Sequence, residues 1–198
     1  MHRALEQVDN AGETGYFIPA RDDDLMTSYV ALLRAVNVGG TGKLPMSELK
    51  AMCEAAGFAE VRTYIASGNV VFNSRLAESA VKNLLEEKLR DYAGKSVGVM
   101  VRTAAEMAAV WAGNPFREAA PNRTMAIFLD VPPLASALQD VSGATSERLA
   151  IGRREIYVHY ADGMADSRLK IPAAKSGTAR NMNTITTLAG MAAGKRAV

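Results

Sequence analysis

At 198 residues, 48% apolar and 22% charged, the chain has material for one compact domain or two small packed subdomains, with no need of a disulfide or metal staple. Cys53 is the single cysteine and His2 and His159 the only histidines, which excludes an internal disulfide and a thiolate zinc cluster; neither a metal nor a cofactor is expected. The net charge of +2 divides unevenly, because residues 1–25 carry two arginines against six carboxylates and residues 151–198 carry eight cations against three carboxylates, an imbalance that favours an anionic partner.

Residues 1–25 show neither a helical nor a strand period and end in Asp22-Asp23-Asp24, so they read as a flexible extension, with Met26 able to serve as the true start. Glu6, Asp9 and Glu13 interrupt any secretory core, and no apolar run approaches the roughly 20 residues of a membrane span. A cytoplasmic protein with no membrane partner is expected. From Tyr29 a strand begins, with Val30, Leu32, Val36 and Val38 on one side and Arg34 breaking that face. Gly39-Gly40-Thr41-Gly42 ends it. A helix follows from Pro45, at the first helical position, to Ala56, with Gly57 just beyond its end. Cys53 falls on that helix's apolar stripe, which suits a small buried hydrophobe better than a nucleophile. Val61–Ile65 and Val70–Phe72 form a hairpin about Ser67-Gly68-Asn69; Ser74 caps a helix over 75–92, and a strand at Val97–Val101 completes β-α-β-β-α-β.

In the second half Ala104–Trp111 reads as a short helix ended by Gly113-Asn114-Pro115-Phe116. A strand over Met125–Asp130 stops at Pro132-Pro133, and a helix from Pro133 to Asp140 follows. Leu149–Ile151 and Glu155–Tyr160 flank Gly152-Arg153-Arg154 as a second hairpin. Thr178 is placed to cap a last helix with Met182, Ile185, Leu188 and Met191 on its inner stripe. The expected class is α+β: an extension over 1–25, a ferredoxin-like (alpha-beta plait) subdomain over 26–113, and a second, degraded one over 114–198. The halves share no clear sequence repeat.

Leu33-Arg34-Ala35-Val36-Asn37-Val38-Gly39-Gly40, Lys43-Leu44-Pro45-Met46 and Thr63-Tyr64-Ile65-Ala66-Ser67-Gly68-Asn69-Val70-Val71-Phe72 resemble the hallmark segments of a bacterial family, domain of unknown function 1697. Asn114-Pro115-Phe116 and Thr178-Ala179-Arg180-Asn181-Met182-Asn183-Thr184 resemble its later motifs, with Met182 where tryptophan is expected, which weakens any stacking role there. The resemblance implies two ferredoxin-like subdomains and no established activity.

The strand, glycine-rich loop and helix at 37–45 invite a P-loop reading, but Asn37 and Leu44 stand where the motif needs glycine and Ser/Thr. A looser anion site survives, in which Gly39 and Gly40 leave amides open and Lys43 adds charge before a helix start; a plain turn with a solvated lysine fits as well. Arg34 within an apolar strand needs a partner, either a structural carboxylate such as Glu48 or Glu54 or a ligand. Asn37, Tyr64, Ser67 and Asn69 can line a pocket beside it or merely satisfy turns. Lys175, Arg180, Asn181 and Asn183 gather at the expected start of the last helix, where free amides and cations suit phosphate or docking equally. His159 in a strand suits a structural role better than that of a general base.

Hydrolase and metalloprotease signatures do not occur, and the hairpin lacks the paired aromatics of an RNA-recognition module. The leading expectation is a binding module for a phosphorylated or other anionic ligand, with a nucleotide or nucleic-acid backbone among the partners considered. An enzyme acting on such a ligand through Tyr64 or Lys43, and a non-catalytic assembly protein pairing through a sheet edge, are the alternatives.

Overall fold

The structure, a computed structural model, describes residues 26–37 and 43–194. The extension over 1–25 and the Gly39-Gly40 segment lie outside the described residues. The chain forms β1 (Thr27–Leu33), α1 (Met46–Ala55), β2 (Ala59–Tyr64), β3 (Asn69–Ser74), α2 (Glu78–Ala93), β4 (Val99–Thr103) and α3 (Ala104–Ala112). It continues with β5 (Thr124–Phe128), β6 (Arg148–Ile151), β7 (Glu155–His159), β8 (Thr178–Asn181) and α4 (Met182–Ala192). Two antiparallel four-stranded sheets result, ordered β2-β3-β1-β4 and β6-β7-β5-β8. Each is the ferredoxin-like order, so the two units repeat in space what no sequence repeat announces.

Burial explains the pattern of β1. Tyr29, Ala31 and Leu33 point to one core with α1 and α2, whereas Val30 and Leu32 point to another with α3 and α4. A strand covered on both faces needs a continuous apolar run rather than alternation, and Val30-Ala31-Leu32-Leu33 supplies it. The second core also takes Ala126, Phe128 and Tyr157 from the second sheet. The layers therefore run α1/α2, first sheet, α3/α4, second sheet. The far face of the second sheet packs Ile156 and Val158 under irregular segments.

Several local expectations are corrected. β1 ends at Leu33 and not at Val38, because Ala35 and Asn37 turn the chain with φ of 51° and 56°. Pro45 is the residue before α1, not its first turn, while Gly57 with φ 81° does follow its end. Ser74 does not cap α2; its hydroxyl accepts from the Leu76 N–H, and the helix starts four residues later. Residues 135–140 form turns, not a helix. Thr178 starts β8 rather than a helix, and Asn181 caps α4 by accepting from the Thr184 N–H at 2.9 Å. Propensity loses there because residues 178–181 complete the second sheet against β5.

Cys53 is fully buried, and desolvation with the nearby Glu54 charge pushes its thiol up to about 12. The folded protein is expected to resist alkylation by iodoacetamide at pH 8 and to react once unfolded in urea, as followed by mass spectrometry. Fast labelling without denaturant contradicts that burial.

Candidate functional site

Two arginines hold the units together reciprocally. Arg102 on β4 sits opposite Val30 and Arg180 on β8 opposite Ala126, so both point into the layer between the sheets. Arg102 is 1% exposed and donates to Val101 O at 2.7 Å, Leu129 O at 2.6 Å and Arg154 O at 3.0 Å, the last two in the other unit. Arg180, 7% exposed, donates from Nη2 to Leu33 O and Ser67 O at 2.9 Å and from Nε to Asn69 Oδ1 at 2.5 Å, all in the first unit. The recipients correspond as well: Leu33 N–H donates to Gly68 O at 2.8 Å, and Leu129 N–H to Arg154 O at 2.9 Å. A buried guanidinium is tolerated where carbonyls take up its donors, and here each unit supplies the other's acceptors.

The two latches differ in charge. Around Arg102, burial lowers the pKa and Arg154 lowers it further, while Glu106, Glu78 and Glu155 act in the opposite direction. Arg154 itself bonds Glu78 at 2.7 Å and Glu106 at 3.2 Å. Arg180 has no such company among the described residues: its pKa falls to about 10 through desolvation by burial, leaving it charged at neutral pH with none of their carboxylates offsetting it.

Three more cations stand near Arg180's end of the layer. Arg34 is exposed and donates from Nη2 to Lys175 O at 2.7 Å, bringing the end of β1 against the segment before β8. Lys43 is exposed, one residue before Leu44, and Asn37 clamps Leu44 by accepting from its N–H and donating to its carbonyl. Among the described residues none of Arg34, Lys43 and Lys175 is ion-paired. Neither Glu48 nor Glu54 holds Arg34; Glu54 instead faces Lys50 at 3.7 Å. The backbone is strained around this edge. Ala35, Asn37 and Ile65 are left-handed, and for β-branched Ile65 at φ 48° that costs on the order of 1–3 kcal/mol. Gly68, at φ 75°, closes the hairpin so tightly that a Cβ would lie 2.4 Å from Val36 Cγ2.

The residues singled out in the sequence divide into three groups. Ser67, Asn69 and Arg180 form the buried latch, with Asn69 also donating to Tyr64 O and Ser67 Oγ. Arg34, Asn37, Lys43 and Lys175 lie around its solvent-facing edge. Tyr64 packs half-buried against the middle layer, Asn181 is spent on capping, and Asn183 is exposed on α4. Arg180 does not stand at a helix start, so no helix N-terminus is offered there. The sequence reading passed over Arg102, although Val99-Met100-Val101-Arg102 repeats the signal that marked Arg34, a cation inside an apolar strand.

Elsewhere a cleft of about 170 Å³ opens between α3 and the turn joining β6 to β7. Its buried Glu155 accepts from the Arg153 and Arg154 N–H groups and from the Tyr157 hydroxyl, which also donates to Val110 O. These polar groups serve each other. Among the described residues no group of three His, Cys, Asp or Glu is placed to hold a metal, and no helix is long and apolar enough to cross a membrane.

Comparison with known proteins follows the same lines. The sequence model of a family described as a protein of unknown function, DUF1697, matches residues 26–157. Among solved structures the chain is similar to the conserved bacterial protein SP0830 from Streptococcus pneumoniae, with 23% identity, a TM-score of 0.70, and coverage of 84% of this chain and 99% of that one. At that identity the likeness shows the fold. The search of curated proteins finds no match.

Proposed function

The chain belongs to the DUF1697 family of proteins of unknown function, and from that premise we propose that it is a binding module for a phosphorylated or other anionic ligand. The anion is taken at the edge formed by Arg34 and Lys175, with Lys43 nearby. One observation carries the reading: among the described residues, the Arg180 latch and its surrounding cations lack the carboxylates that neutralise the matching Arg102 latch. An uncompensated guanidinium beside three unpaired cations raises the local potential, and an anion there recovers part of the cost of burying charge. Two strained residues on the 34–37 turn and a third on the hairpin turn hold the edge in one shape, as binding sites often do.

The test is calorimetric titration of the whole chain with inorganic phosphate, nucleotides, sugar phosphates and short oligonucleotides. Arg34 is exposed and Arg34→Ala leaves both latches in place, so the variant folds. It is expected to weaken binding by about ten- to a hundredfold, the value of a charge-assisted hydrogen bond, and raised salt weakens the parent likewise. Equal binding by parent and variant overturns the assignment, as does a parent that binds none of these anions. Assaying turnover of whichever ester binds then separates a binder from an enzyme.

A further inference from the structure

The two units differ most on their outer faces. α1 and α2 cover the first sheet, whereas the corresponding stretches of the second unit, 130–147 and 160–177, hold no α-helix and only a single 3-10 turn at Pro172–Ala174. Pro132 and Pro133 stand where the missing helix would begin, and the chain beyond them settles as turns over 135–140. Between 129–140 and 172–176 an open groove of about 420 Å³ remains. Val131 and Leu134 line it at 68% and 75% exposure, the highest among the large apolar side chains described. Its other wall ends at Ser176, adjoining Lys175, whose carbonyl receives Arg34. The groove's carboxylates, Asp130 and Asp140, belong to the 129–140 wall, and Asp130 is held by Lys82 at 3.3 Å. Exposed apolar surface thus runs up to Ser176, next to Lys175 and Arg34, which have no ion-pair partner among the described residues.

We propose that the anion taken by Arg34 and Lys175 carries an apolar body that lies in this groove, so that the ligand is a soluble organic anion with an aliphatic or aromatic chain. The proposal rests on the anion-binding reading of the Arg34 edge and adds the chemical class of what is attached. The head is placed at Lys175 and Arg34, beside the Ser176 end of the groove, and the chain against Val131 and Leu134, away from Asp140. An anion without the chain leaves those two side chains in water. A chain without the head leaves the cations unpaired.

Calorimetry with inorganic phosphate and with alkyl phosphates from ethyl to octyl tests it. Affinity is expected to rise about two- to fourfold per added methylene until the groove is filled, fourfold being the value for full burial. Leu134→Asp, at an exposed position, is expected to flatten that series. Arg34→Ala is expected to weaken every member by the same factor. If phosphate binds through Arg34 but the series is flat in the parent, the groove proposal fails and the anion reading stands. If no member binds, the anion reading itself fails. A series that survives Leu134→Asp places the chain elsewhere and overturns the proposal. So does a flat series together with co-sedimentation on anionic phosphatidylglycerol vesicles, which assigns the patch to a membrane surface.

Discussion

Arg102→Ala is expected to lower the unfolding free energy by about 3–5 kcal/mol, seen as a shifted urea midpoint and a melting temperature reduced by roughly 10 °C. Three backbone carbonyls lose the guanidinium in a buried site, Val101, Leu129 and Arg154, the last keeping only the Leu129 N–H. The Phe128 ring loses the guanidinium held 5.5 Å from its centre. Glu78, Glu106 and Glu155 are then left with Arg154 as the main cation within the latch. Removing one partner of a buried charge network is costlier than never building it, because the remaining charges stay desolvated. Arg102→Lys is expected to recover only part of the loss, since one ammonium cannot reach the divergent carbonyls that the planar guanidinium spans. A change under about 1 kcal/mol for Arg102→Ala would remove the latch from the account of how the units are joined.

Arg180→Ala is the second large effect, expected at about 2–4 kcal/mol by the same titration. It leaves Leu33 O, Ser67 O and the fully buried Asn69 side chain short of a donor. The cost is smaller than at Arg102 for a reason visible in the charges: no carboxylate is orphaned, and the burial of an uncompensated cation is relieved. The order of the two variants therefore tests the asymmetry on which the anion reading rests. If Arg180→Ala proves the more destabilising, its charge is not penalised and that support is gone. If the anion reading holds, saturating phosphate is expected to stabilise the parent by roughly 2.7 kcal/mol at a hundred times its dissociation constant. For the same reason Arg180 is a poor position at which to test binding, since its loss acts through the fold, whereas Arg34→Ala acts at the edge.

Most of the fold was legible in the residues. The first unit reads almost element by element, because its helices carry apolar stripes and its hairpin turns on Ser67-Gly68-Asn69. The second unit misled in two places. Residues 133–140 carry enough apolar spacing to suggest a helix, yet they settle as turns. Residues 178–181 look like a helix start and become a strand, since pairing with β5 outweighs the local preference. The candidate site was half legible. Arg34, Lys43, Lys175 and the hairpin polar residues stood out as types, but their division between a buried latch and an exposed edge depends on contacts as far as 147 residues apart in the chain, such as Arg180 to Leu33 O.

By itself the sequence determined the α+β class, the strand order's raw material, the absence of an internal disulfide and the basic excess of the C-terminal stretch. Those follow from local periodicity, residue counts and turn chemistry, which act over a few neighbours. Only the tertiary structure decided how the two expected ferredoxin-like units meet, that two arginines cross between them, and that one of those arginines has no counter-charge among the described residues. These are properties of which surfaces meet: a buried guanidinium is satisfied or costly according to the carbonyls and carboxylates that another part of the chain brings within about 3 Å of it.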